Sequence, residues 1–380
     1  MIRQPRLVVV NPSPDLYGAD LQMLQAVVAA IESGWHVTVV LPESGPLVER
    51  ILEHGADVAF VRYPVLRKAN LRLGSLLALA VAAARSLPAS VRLVRRLQAD
   101  VVLVNTATLP WWVLAGRLAA RPVVGYLHEA ETTGSRWVRR ALVLPFQLTH
   151  RTIVISRSAM TAMTDVAPWL AGRAVLIYNS VPGPDDRTEP ASSTAETVQL
   201  AVVGRLSPRK GTDVALRAVA RLRRQGIDAR LEVAGDVFSG YEWFEDELRV
   251  LAAEPEMAGA VEFSGYCSPV WPVLERAQIV LAPSLNEPFG NAVVEAQLAG
   301  RVVVAAASQG HLESVSDGET GLLVPPGDDE AMADAVVQLV ADPGLLAKIG
   351  GRARDEAQRR FSVPRYRHQI STVLDEVHSA

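Results

Sequence analysis

Glu287 and Glu295 stand eight residues apart, on either side of a Gly290-Asn291 turn that runs into a helical pattern. Free backbone N–H groups and the positive end of a helix dipole at such a turn bind an anion. A carboxylate before the turn can reach neutral hydroxyls, and one a turn inside the helix can accept hydrogen bonds from a diol such as a ribose. The other reading of Glu295 is a solvated position on a helix face. A second stretch, residues 202–213, ends an apolar strand at Gly204 and then presents Arg205, Arg209 and Lys210 before the next helix. Arginine forks onto phosphate oxygens and lysine adds a point charge, so this loop suits a phosphate or diphosphate. A solvated surface loop is its alternative. Together the two stretches ask for a nucleoside diphosphate that carries a further polar group.

Groups at strand ends need a sheet to hold them. Apolar runs at 7–10, 37–41, 58–61, 101–105, 123–127 and 151–155 alternate with helical patterns, the first of these at 20–33. Strands alternating with helices predict a parallel sheet covered on both faces. Residues 182–198, rich in proline, serine and acid, have no periodicity and read as a linker. The alternation then restarts, with strands at 200–204, 230–234, 261–264, 279–282, 302–306 and 321–324 and helices at 211–226, 291–299, 329–341 and 343–360. Asp328 or Asp329 suits the N-cap of the third of these helices. The expected fold class is therefore α/β, two successive doubly wound Rossmann-like domains at 1–182 and 183–360. Ligands of such sheets sit beyond the carboxyl ends of the strands, so the site is expected in an interdomain cleft.

Composition narrows the function classes. The chain has 380 residues, 49% hydrophobic and 21% charged, a soluble globular balance. Its single cysteine, Cys267, cannot form an internal disulfide and fits a reducing cytoplasm. The run at 7–10 is too short for a secretory leader. The longest apolar run, residues 73–84, falls short of the roughly 20 residues that cross a bilayer, so no spanning helix is expected. The net charge of -3 hides an asymmetry: residues 1–184 carry 19 Lys and Arg against 11 Asp and Glu, and the remainder 19 against 30. A pI of 6.2 with no accompanying motif argues against nucleic acid as a partner.

Three motifs in order resemble one family. Gly204-Arg205-Leu206 with Lys210-Gly211, then Glu287-Pro288-Phe289-Gly290 running to Glu295, then the stretch from Gly318 to Gly327, look like the retaining glycosyltransferases of family four, with the GT-B architecture. The resemblance is strong over residues 198–360 and weaker over the first half. It implies that Arg205 and Lys210 bind the donor diphosphate and stabilise the leaving group, that Glu295 holds the ribose, and that Glu287 holds hydroxyls of the donor sugar. It also implies that amides near Phe289, Gly290 and Asn291 meet the diphosphate or sugar, and that Gly265-Tyr266 lies by the base. Gly18 resembles the family's glycine-rich loop, although Tyr17 and Ala19 stand where that loop usually has a second glycine. His128, at a predicted strand end beside Glu129, matches the family's histidine near the reacting centre. Gln309-Gly310 replaces a usual glycine pair, while Glu313 matches the acid that follows. The last segment, residues 361–380, is assigned to a helix that returns to the first domain.

The implied reaction moves a sugar from a nucleoside diphosphate to an acceptor hydroxyl with retention. No Asp-x-Asp metal motif sits at a strand end, so cationic side chains and a helix end, with no cofactor or metal, are expected to neutralise the departing diphosphate. No residue is compelling as a carboxylate nucleophile of the glycosidase kind, which favours attack on the face that the leaving group vacates. The acceptor, a sugar or lipid-linked glycan, is expected on the basic first domain. Residues 66–97 mix apolar side chains with Arg67, Lys68, Arg72, Arg85, Arg92, Arg95 and Arg96, and residues 136–146 add Trp137 with three arginines. Such stretches either lie on an anionic membrane or pack on a core with a solvated arginine face. Trp111-Trp112 can line a sugar site. The protein is thus expected in the cytoplasm, with peripheral contact at the inner face of the membrane as one option. Two rival functions are a non-catalytic nucleotide-sugar binder and another enzyme of this fold, such as a nucleotide-sugar epimerase. A phosphorylase with pyridoxal phosphate needs a free lysine, and the chain has only Lys68, Lys210 and Lys348.

Overall fold

The computed structural model describes residues 3–66, 73–130, 135–184, 197–238 and 240–380. Arg67, Lys68, Arg72 and most of the expected linker at 182–198 lie outside the described residues. The chain divides into two compact units, Met1–Ser180 with Val363–Ala380, and Val181–Ser362.

In the first unit, β1 (Arg6–Val10), β2 (His36–Leu41), β3 (Asp57–Phe60), β4 (Val101–Asn105), β5 (Val123–Leu127), β6 (Arg151–Val154) and β7 (Ala174–Leu176) pair in the order β3-β2-β1-β4-β5-β6-β7. Every pairing is parallel. The strands read as valine-rich runs because helices cover both faces: β4 and β5 are buried at every position. Those helices are α1 (Gly18–Glu32), α2 (Leu47–Glu53), α3 (Leu73–Arg96), α4 (Pro110–Leu118), α5 (Arg136–Val143) and α6 (Arg157–Val166). Strand β7 was not expected, since three residues carry no readable period. Trp112 sits in the core between α4 and the sheet, fully buried against Tyr63. Trp111 donates its Nε1–H to the Pro64 carbonyl at 2.7 Å. The idea that both tryptophans line a sugar site is corrected for Trp112, whose helix position faces the sheet.

Helix α3 differs from the expectation based on an apolar run ending at Ala84. It continues through Arg85 and Pro88, and Leu77–Arg96 is long and apolar enough to cross a membrane by length and composition. Leu79, Ala83, Leu93 and Val94 are buried, while Leu77 (70%), Val81, Arg85 and Arg92 are exposed.

In the second unit, β8 (Val198–Val203), β9 (Ala229–Ala234), β10 (Val261–Gly265), β11 (Ile279–Ala282), β12 (Val302–Ala306) and β13 (Leu322–Val324) form a parallel sheet of order β10-β9-β8-β11-β12-β13. Helices α7 (Thr212–Arg224), α8 (Glu242–Ala252), α9 (Trp271–Arg276), α10 (Asn291–Leu298), α11 (His311–Ser314), α12 (Asp329–Ala341) and α13 (Pro343–Arg360) cover it. Asp328 is the N-cap of α12, its carboxylate accepting from the Ala331 N–H at 2.9 Å. The final helix, α14 (Val363–Ser379), packs on α1: Trp35 donates to Asp375 at 3.3 Å, Arg367 pairs with Glu32, and the Tyr366 and Tyr126 hydroxyls meet at 2.9 Å.

In each sheet the strand order reverses between two neighbours, β1 and β4 in the first unit and β8 and β11 in the second. Loops leaving those neighbours diverge to opposite faces and open a crevice at their carboxyl ends.

Candidate functional site

The crevice of the second unit is built by two loops that are stitched together. After β8 the chain passes Gly204 and Arg205, makes a tight turn at Pro208–Lys210, and enters α7 through Gly211 at φ +68°. A Cβ on Gly211 would lie 2.5 Å from the Pro283 carbonyl oxygen, so only glycine lets this turn approach the loop after β11. The Leu285 N–H donates to the Arg209 carbonyl at 2.9 Å, and the Arg209 guanidinium donates to the Asn286 carbonyl. The approach sets the Lys210 ammonium on the Glu287 carboxylate as a largely buried ion pair.

Electrostatics at this pair have a definite sign. Burial pushes the Glu287 carboxyl up, but Lys210, His311 and Arg209 outweigh it and hold the carboxyl down at about 2. Glu287 is thus an anion throughout the physiological range. Glu295, one turn into α10, has the opposite fate. Burial raises its carboxyl to about 7, Lys210 only partly offsetting this, while the residue as a whole keeps partial exposure.

Helix α10 opens at Gly290, φ +96°, with no side-chain cap on its first turn. The His311 ring lies over that glycine: a Cβ there would meet Cδ2 at 2.9 Å and Nε2 at 3.2 Å. His311 is 2% exposed and donates Nδ1–H to the Ala306 carbonyl at 3.0 Å, which leaves Nε2 as an acceptor. Burial lowers its pKa. Where the family has paired glycines, Gly310 packs on the Phe289 backbone so closely that a Cβ would lie 2.4 Å from Cα. Gln309 carries the left-handed φ of +38° that the missing glycine would take without strain.

Arg205, Lys210, Glu287 and Gly290 line one pocket at this crevice, joined by Thr212 and His311. Arg205 stacks its guanidinium on Phe238 at 3.8 Å. Asn291 sits in the first turn of α10, and Phe289 turns its ring into the core against Phe361. Glu295, Gly265 and Tyr266 are not among the residues lining the pocket. Gly265 ends β10, two strands from β8, and Tyr266 there is 58% exposed. Sequence reasoning did not single out Thr212 or His311, because a threonine opening a helix and a lone histidine after a glycine have ordinary structural uses. Among the described residues no three His, Cys, Asp or Glu side chains group as a metal site.

In the first unit, Gly18 begins α1 and is absent from the glycines that take positive φ. His128 follows β5 and is buried, with Nε2 2.7 Å from Asn105 Oδ1 and its ring 4.1 Å from that of Tyr126. Burial lowers its pKa to about 3, so the ring is neutral. Glu129 turns back to accept from the His128 N–H at 3.0 Å.

Comparison with known proteins agrees with this architecture. The family described as Glycosyltransferase Family 4 matches residues 18–182, and that described as Glycosyl transferases group 1 matches residues 185–356. A D-inositol 3-phosphate glycosyltransferase of Corynebacterium aurimucosum is 39% identical over 186 residues, 47% of this chain and 44% of that protein. The lipopolysaccharide core biosynthesis glycosyltransferase LpsE of Rhizobium meliloti is 35% identical over 160 residues, 42% of this chain and 44% of that protein. The chain thus spans about half the length of the curated relatives it matches. Among solved structures, Anabaena Alr3699/HepE in complex with UDP and glucose superposes with a TM-score of 0.80 at 24% identity, covering 97% of this chain and 99% of that one. Sucrose-phosphate synthase from Thermosynechococcus elongatus does so at 0.79 and 19%, covering 99% of each. Residues 18–182 thus match the family 4 model and residues 185–356 the group 1 model, and the chain has the GT-B fold of its structural neighbours.

Proposed function

We propose that this protein is a retaining glycosyltransferase that moves a sugar from a nucleoside diphosphate to an acceptor hydroxyl without a metal. The observation that carries the reading is the convergence of Arg205, Lys210 and the uncapped first turn of α10 on one crevice, with Glu287 held ionised beside them. Cations and a helix N-terminus aimed at one place stabilise negative charge that grows in the transition state. In the step itself, the bond from the anomeric carbon to the β-phosphate oxygen breaks. The acceptor oxygen bonds the same carbon on the same face, and its proton passes to the departing phosphate oxygen. Glu287, always an anion, accepts hydrogen bonds from donor sugar hydroxyls while Lys210 meets the diphosphate. Glu295 accepts from the ribose diol. The UDP bound by the HepE neighbour supports a uridine donor, and the relatives named for inositol phosphate and lipopolysaccharide acceptors support a polar or lipid-linked glycan as the other substrate. The experiment is release of nucleoside diphosphate from UDP-, GDP-, ADP- and dTDP-sugars in EDTA, with product configuration read by NMR. An inverted product, or turnover only with added metal, refutes the corresponding part.

The acceptor side of the reading includes a cytoplasmic protein in peripheral contact with anionic membrane. Helix α3 supports it, for its exposed face carries Leu77 and Val81 and then Arg85 and Arg92, and Trp137 on α5 is 78% exposed. Apolar residues and arginines on one exposed face suit an interface with anionic lipid. Flotation with vesicles of anionic lipid should carry the protein upward, and Leu77→Glu with Val81→Glu should abolish this. No flotation of the wild type removes the membrane from the account.

A further inference from the structure

The first unit holds a buried line of polar side chains at its own reversal of strand order. Asn11 follows β1, Asn105 ends β4, and His128 follows β5; both asparagines are fully buried. Asn11 Nδ2 lies 2.7 Å from the Ser13 carbonyl and 2.7 Å from Asp20 Oδ1. Asn105 Nδ2 lies 2.6 Å from Asn11 Oδ1 and 3.4 Å from the Ala19 carbonyl. Asp20 Oδ2 in turn accepts from the Tyr17 N–H at 3.1 Å, in the first turn of α1.

These partners fix the direction of every bond. Asn11 turned the other way would set its amide oxygen against a carbonyl and a carboxylate, neither of which donates. Asn105 turned the other way would set its oxygen against the Ala19 carbonyl and Asn11 Oδ1, again two acceptors. With both amides fixed, Asn105 Oδ1 is what faces His128 Nε2, at 2.7 Å, and an oxygen of this kind can only accept.

We infer that Asp20, Asn11 and Asn105 are positioning residues that hold His128 as the Nε2–H tautomer, so that the nitrogen left to a ligand is Nδ1 and it can only accept a hydrogen bond. The neutral state of the ring agrees with this, because a second ring proton would have to be carried in a buried site. Resting on the proposed function, the inference gives His128 one part in it: acceptor from a sugar hydroxyl, and neither acid nor electrostatic partner of the diphosphate. The same line links the orientation of that histidine to the α1 turn that contains Gly18.

The test is long-range 1H–15N correlation on the ligand-free full chain labelled with 15N-histidine, with His128→Gln used to assign the signal. The expected result is a single Nε2–H tautomer for His128 in the wild type, lost to a mixture in Asn105→Leu. An Nδ1–H tautomer or a mixture in the wild type overturns the inference, whatever the variants do. No substrate is needed, so this outcome is independent of the turnover assay that decides the proposed function.

Discussion

Glu295→Gln separates stability from binding in a way that few substitutions can. The carboxyl titrates at about 7 in the folded protein against 4.5 in an unfolded chain. Between those values the folded state holds a proton that the unfolded state has released, so unfolding free energy falls as pH rises through the window. The difference of about 2.5 pK units at 1.36 kcal/mol each makes the loss about 3 kcal/mol, complete a little above pH 7. Glutamine carries no charge to desolvate and lacks this loss. Urea unfolding of the two full-length proteins at pH 5, 6, 7 and 8.5 should therefore show the variant gaining on the wild type by about 2.5 kcal/mol across the series, with the gain flattening at the top. Nucleotide affinity should move the other way. If the ionised carboxyl is what receives the ribose diol, wild-type affinity falls about tenfold from pH 8 to pH 6, following the ionised fraction, and the variant binds weakly at both. A stability gap that does not change with pH would refute the reasoning, because it would mean that Glu295 is solvated and is only a residue on a helix face.

Other consequences follow from the same geometry. Lys210→Met leaves the Glu287 carboxylate buried without its partner and should cost about 2–4 kcal/mol in urea unfolding, slightly below the full value for a wholly buried pair; Lys210→Met with Glu287→Gln should recover part of it. Gly290→Ala should destabilise by about 1–3 kcal/mol through its positive φ and its collision with the His311 ring. Adding His311→Ala should relieve the collision but not the backbone term, which a double-mutant cycle measures.

The two sheets were legible because strands covered on both faces must be apolar throughout, and runs such as 101–105 and 302–306 satisfy this without help from their neighbours. Strand β7 was not, since its three residues are held by pairing with β6 rather than by a pattern of their own. Helix α3 outran its apolar stretch because arginine is a good helix former and Pro88 does not end it. In the site, residue type and spacing pointed to Arg205, Lys210, Glu287 and Glu295, yet the Lys210–Glu287 pair joins positions 77 residues apart and depends on Gly211 approaching Pro283. The opposite pKa shifts of Glu287 and Glu295 come from the balance of burial against neighbouring charge, Lys210 foremost, and neither is written in the local sequence. Asn11 and Asn105 look in the sequence like polar residues that stop a strand; only the sheet order brings them together under His128.

The central claim, a nucleoside diphosphate held by the second unit, is tested most directly by calorimetric titration of UDP, GDP, ADP and dTDP, each in EDTA, into the wild type and Glu295→Ala. The account predicts selective binding of one nucleotide, weakened about tenfold or more by the substitution, equivalent to about 1.4 kcal/mol. Binding of none of the four to the wild type would contradict it.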